Sequence, residues 1–162
     1  MTSPAPMADC FSSEAVILDL VADTKEAALE AMVRQAVEAK VLPRTRRDQA
    51  IEALLAREER GTTAMGGSVA MPHAKIGGLQ RVAGLVARSV KGVEFRAVDG
   101  EPVHVFVMLI SPESKADEHL ATLRWISSAA RDPDFQSFIR QSETAEDVLD
   151  VLRERAPEPF SG

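Results

Sequence analysis

The sequence predicts an α/β fold: one domain built on a mixed β-sheet with helices on both faces. Three observations carry that prediction. Residues 103–110 form a nearly continuous apolar run, the pattern of a strand buried on both sides. Leu29, Met32, Val33, Ala36 and Val37 recur at helical spacing and define one apolar face. Helix-like and strand-like segments then alternate along 162 residues, the length of one ordinary domain with a substantial core.

Residues 1–13 are small and polar, rich in Ser and Pro, and are expected to form a flexible leader to a domain spanning 14–155. Val16, Ile17, Leu18 and Leu20 suit a short strand or lead-in. Asp23 or Thr24 starts the first helix, with Glu26 placed to complete a capping box with Asp23. Pro43 marks its end. A second helix is expected over 45–58, burying Ile51, Leu54 and Leu55 and holding Arg57 in its last turn. A loop over 61–68 leads into a strand ending near Met71.

Residues 82–90 read as a strand between Gly78 and Gly92, and Asp99-Gly100 signals a tight turn. Ser111-Pro112 closes the apolar strand at 103–110. Asp117 is placed to cap a helix running to about Ala130, with Leu120, Leu123, Ile126 and Ala130 facing inward. Asp132-Pro133 breaks that pattern, and two helices follow near 134–140 and 144–155. Residues 156–162 are expected to form a flexible tail. No internal repeat or low-complexity tract suggests another architecture.

Composition excludes several classes of function. Apolar residues make up 45% of the chain and charged residues 27%, as in an ordinary globular protein. A formal net charge of −6 leaves no basic stripe to neutralise phosphates, so no nucleic-acid partner is expected. Arg44, Arg46 and Arg47 cluster, but the run is short and reads as the solvated start of a helix. The single cysteine, Cys10, has no internal disulfide partner, which fits a reducing cytoplasm. No apolar segment is long enough to span a bilayer, and the N-terminus lacks a charged-then-apolar signal.

The segment 66–75, Gly-Gly-Ser-Val-Ala-Met-Pro-His-Ala-Lys, concentrates the chemistry. Imidazole is largely neutral near pH 7 yet nucleophilic enough to take and return a phosphoryl group, which makes His73 the candidate acceptor. Pro72 restricts its own φ and biases Met71 towards an extended backbone, so His73 is expected at a sheet end, exposed to a partner. Phosphoryl transfer otherwise needs in-line positioning and groups that spread charge over the phosphate oxygens. Arg57 offers a permanently charged fork for that purpose. His119, expected in the first turn of a helix, lies where the dipole favours an anion and disfavours an imidazolium. Thr63 is a candidate hydroxyl or backbone N–H for a phosphate-cradling loop. Arg60 and Lys75 read as solvated charges.

The order of these elements closely resembles the type-2 enzyme IIA family of the bacterial phosphoenolpyruvate-dependent phosphotransferase system. Carrying it are Arg57-Glu58-Glu59-Arg60-Gly61-Thr62-Thr63, then Met71-Pro72-His73, the Phe95 to Val103 segment and His119-Leu120. That family includes fructose–mannitol and nitrogen-regulatory proteins, and the resemblance extends over about 16–152. It implies phosphorylation of His73 at Nε2, a second active-site histidine at His119 and an arginine at Arg57. The family usually has a glycine after the threonine; Ala64 stands here, which puts the loop conformation in doubt because alanine tolerates positive φ poorly. The implied donor is a phosphohistidine protein of the HPr type. The implied acceptor is a IIB component, or the phosphate stays as a regulatory mark.

No IIB, IIC or HPr-like extension is visible, which favours the nitrogen-regulatory type. A protein-interaction regulator, switched by the charge of a phosphate and with no sugar role, is the alternative. A zinc site built from His73, His104 and His119 is not expected, since no pair has close ligand spacing and no HExxH or CxxC is present. His104 reads as a sheet residue, packed or solvated at an edge. Nucleotide-binding loops and a GxSxG elbow are also absent, so no cofactor is expected.

Overall fold

The computed structural model describes residues 8–155. Chain order gives β1 (Val16–Ile17), α1 (Lys25–Glu38), α2 (Arg47–Glu59), β2 (Val69–Ala70), β3 (His73–Ile76), β4 (Ala83–Val93), β5 (Val103–Pro112), α3 (Ala116–Ala130), α4 (Pro133–Gln141) and α5 (Ala145–Glu154). Among the described residues the strands form a mixed sheet in the order β1-β4-β5-β2, with β3 also on β5. β4 and β5 are antiparallel; β1 on β4, and β2 and β3 on β5, are parallel.

The apolar run in β5 is continuous because each face of the sheet is covered. Phe106, Met108 and Ile110 join α1 and α2 in one core with Leu29, Met32 and Leu54. Val105, Val107 and Leu109 join α3, α4 and α5 in the other with Ile126, Phe135 and Leu149. Strand residues alternate between faces, so two helical layers require apolar side chains at every position.

β2 and β3 lie along one edge of β5. Ala70 pairs with Phe106 and His73 with Leu109, so the offset to β5 is the same on both sides of Pro72. Leu109 N–H donates to Pro72 O at 3.0 Å and carries the register across the gap. β2 ends beside Met71, as the sequence suggested, but the edge continues past it in β3, which the sequence pattern did not anticipate. Pro72 interrupts it and His73 opens its second half, half-buried rather than exposed.

Other boundaries also differ from expectation. Of the two expected starts of α1, Thr24 is the cap, its side chain accepting from Ala27 N–H at 3.1 Å, and the expected Asp23–Glu26 box does not form. Arg44–Arg46 form a 3-10 turn, so α2 starts two residues late; it buries Ala50 and Leu54, while Ile51 and Leu55 stay half-buried. In α3 the buried stripe is His119, Thr122, Trp125, Ile126 and Ala129, and Leu120 is 48% exposed. The stripe is rotated because the helix turns His119, a polar residue, towards the sheet. α4 and α5 follow their cues, with Asp132 capping the first and a Thr144–Asp147 capping box opening the second.

The leader expected over 1–13 is corrected in its second half. Phe11 is 5% exposed and meets Trp125 edge-on, ring centroids 6.1 Å apart. Gly84 makes room for it: a Cβ there would lie 2.7 Å from Cys10 Sγ and 2.8 Å from the Phe11 ring. One buried aromatic outweighs the polar composition of its neighbours. Residues 1–7 and the expected tail at 156–162 lie outside the described residues. No helix of the described residues is long and apolar enough to cross a membrane.

Candidate active site

Four elements bring the site together. β3 supplies His73, the last turn of α2 supplies Arg57, the first turn of α3 supplies His119, and the end of β5 supplies Ser111. Arg60 and Lys75 also line the cleft, about 500 Å³ in volume, with Ala53, Ala56 and Leu123 among its apolar walls.

His73 is held by both ring nitrogens. Nδ1 lies 2.8 Å from Met71 O, a group that only accepts, so Nδ1 carries the proton. Nε2 then presents its lone pair to the cleft, where Arg57 Nε donates at 3.3 Å. The same guanidinium donates from Nη1 to Gly61 O at 2.8 Å, which fixes its plane. Burial, foremost, and then the charge of Arg57 hold the His73 pKa below its ordinary 6.5, against the Met71 hydrogen bond, which raises it.

His119 is 4% exposed, its ring centroid 5.6 Å from that of His73. Its Nδ1 lies 2.7 Å from Ser111 Oγ. Burial, then His73 and Lys75, push its pKa down to about 4. Both rings are therefore neutral near pH 7: one offers a lone pair and the other a proton donor.

Thr63 is not where a phosphate-cradling role would need it. Its hydroxyl donates to Glu58 Oε2 at 2.5 Å and its N–H to Glu58 Oε1 at 3.0 Å, in the interior. Lys25 Nζ, over the Phe95 ring, completes the pairing at 3.0 Å from Glu58 Oε1. Glu58 is thus bound to Lys25 and Thr63 rather than to the adjacent Arg57. The cue was its i+4 spacing from Leu54 on the buried face of α2. Thr63 still bears on the site, because its carbonyl accepts from Met71 N–H at 3.3 Å, and Met71 O in turn orients His73. Ala64 does not need the glycine conformation: it keeps a negative φ, and Gly61, Gly66, Gly67 and Ser68 take the positive-φ positions of the loop. Ser111 was missed, having only a strand-ending proline beside it as a signal.

His104 stands at the other end of β5 from Ser111, roughly 20 Å away at about 3.3 Å per residue. Its Nδ1 lies 2.9 Å from Ser89 O, and β5 is an interior strand rather than an edge. Among the described residues no group of three His, Cys, Asp or Glu side chains is placed to hold a metal ion.

Residues 9–155 match the family described as phosphoenolpyruvate-dependent sugar phosphotransferase system, EIIA 2. The chain belongs to this EIIA family. A nitrogen regulatory protein of Bradyrhizobium diazoefficiens is 35% identical over 91% of this chain and 94% of its own length. The fructose-specific EIIA component of Haloferax volcanii is 33% identical over 87% of this chain and 90% of its own. The crystal structure of nitrogen regulatory protein IIA-Ntr from Neisseria meningitidis superimposes with a TM-score of 0.78 at 26% identity, covering 90% of this chain and 98% of that one. The EIIA chain is thus a phosphotransferase-system component with nitrogen-regulatory and sugar-specific relatives.

Proposed function

We propose that this EIIA protein is a phosphoryl carrier whose acceptor atom is His73 Nε2. The observation that carries the reading is the pairing at His73: Nδ1–H held by Met71 O, and Nε2 turned to the cleft under Arg57. The donor is a phosphohistidine protein of the HPr type. Its P–N bond breaks, the bonding pair returning to the donor imidazole, as the Nε2 lone pair of His73 forms a new one; the proton on His73 stays on Nδ1, donated to Met71 O. Arg57 spreads charge on the transferring phosphoryl, with Arg60 and Lys75 adding positive potential. A hydroxyl of Ser111 donating to His119 Nδ1 leaves Nε2–H of His119 to donate to a phosphate oxygen. Thr63 acts through Met71 as a positioning residue.

The group then passes to a IIB component or remains as a regulatory mark in the cytoplasm. The full-length match to a nitrogen regulatory protein favours the regulatory use. The interaction-regulator reading shares this chemistry and differs only downstream, where the charge of the phosphate selects a target protein.

Intact-mass spectrometry at neutral-to-basic pH, after incubation with phosphoenolpyruvate, enzyme I and an HPr-type carrier, tests the reading. One acid-labile phosphoryl adduct, absent in His73→Ala, is the expected result. No adduct while a control IIA is labelled in parallel overturns it. Partner capture with wild type and His73→Ala then separates transfer from regulation.

A further inference from the structure

A second cleft lies at the opposite end of α2 from Arg57. Its volume is about 550 Å³, and Lys40, Arg44 and Arg81 line it together with Val41, Leu42 and Leu79. It shares no lining residue with the His73 cleft. The two stand about 20 Å apart along the helix, at about 1.5 Å per residue.

The three cations come from three separate segments: the end of α1, the turn before α2 and the loop between β3 and β4. Among the described residues no carboxylate lines the cleft, and none of the three cations forms a salt bridge. Of the acids near it, Asp48 pairs with Arg47, Glu14 and Glu38 line a neighbouring hollow that Lys40 also borders, and Glu113 lies against Gly77. In a chain with a net charge of −6, this local excess of positive charge goes against the overall balance.

Backbone geometry keeps the charges there. Lys40 follows the end of α1 at φ 62°, the left-handed position usually given to glycine. Gly78, at φ 77°, leaves room for the guanidinium of Arg46, which occupies the place a Cβ would take and adds a fourth cation beside the cleft. Beneath them Leu42 and Leu79 are buried and form an apolar floor.

We propose that this cleft is a binding site for a small polyanion with a compact apolar body, either a phosphate ester or a polycarboxylate. The volume is that of a small-molecule pocket, two guanidinium forks suit oxyanions, and a bound anion relieves the repulsion among the cations. The inference does not depend on the chemistry of His73.

Nitrogen–proton NMR titration of the labelled full chain at fixed ionic strength, with phenyl phosphate and with citrate, provides the test. The expected result is saturable shifts at residues 40–44 and 78–81 with at least one probe. In the double variant Arg44→Gln, Arg81→Gln the dissociation constant should rise at least tenfold while His73 phosphorylation is unchanged. Both side chains are exposed, and an unchanged spectrum elsewhere verifies the fold. The stronger probe names the anion class. Absence of saturable shifts with both probes overturns the proposal, as do shifts that persist in the double variant. Shifts confined to residues 57–61 and 73–75, abolished by Arg57→Gln, place the anion in the His73 cleft and overturn it equally.

Discussion

Arg57 makes two directed contacts from one guanidinium, to His73 Nε2 and to Gly61 O, and a lysine has no fork with which to make both. Arg57→Lys should keep the charge and slow phosphorylation of His73 by roughly ten- to hundredfold, the scale of one charge-assisted hydrogen bond of about 1.5–3 kcal/mol. Rapid-quench labelling reads it; a wild-type rate would show that charge alone suffices. His119→Ala should slow onward transfer with the fold intact, and equal rates would remove its assignment as the second histidine. The depressed histidines also set an acid limit. An unfolded imidazole titrates near 6.5, whereas His119 in the fold titrates at about 4 and His73 below its ordinary value. Between these pH values the unfolded chain binds more protons, so stability falls as pH drops from about 6.5 towards 4. His119→Gln should flatten that slope in urea titrations; an unchanged slope would sever the link.

These histidines and Arg57 were legible in the sequence because their chemistry is carried by the residue type and its motif. Thr63 was misread because its hydroxyl partner, Glu58, becomes visible only when the turn after α2 closes back on the helix. Ser111 carried no pattern at all.

At the scale of elements, the end of α2 is tied to α1 by a buried charge. Lys25 and Glu58 are 6% and 3% exposed at their side chains, and Thr63 fills the remaining carboxylate positions. Glu58→Gln leaves Lys25 buried without its counter-charge and should cost about 3–5 kcal/mol in denaturant unfolding, the range for breaking a buried pair from one side. A loss below about 1 kcal/mol would show that Lys25 escapes to solvent. The packing of the N-terminal segment makes a second prediction: Gly84→Ala should force Cys10 and Phe11 off the sheet and destabilise by about 1–3 kcal/mol. Trp125 fluorescence would report the displacement of Phe11. Helix and strand order was legible because apolar periodicity survives into the fold. The stripe of α3 was misjudged by one residue because apolar pattern alone cannot anticipate a helix that buries a histidine and leaves Leu120 in solvent.

For the molecule as a whole, one sheet separates two cores, and β4 and β5 contribute side chains to both. Such an arrangement should unfold as a unit. Leu54→Ala in one core and Ile126→Ala in the other should each lower stability by about 2–5 kcal/mol while leaving a single transition by fluorescence and circular dichroism. Separated transitions would mean that the layers are independent. The β2–β3 edge of this sheet has a consequence of its own. An edge strand offers unpaired peptide groups on which a foreign strand can template, the first step of many aggregation reactions. Met71, midway along this edge, has neither group to offer, since its N–H is given to Thr63 O and its carbonyl is taken by His73 Nδ1. The contacts that aim the imidazole thus also deny other chains a place to add a strand, and loosening them should cost solubility as well as aim.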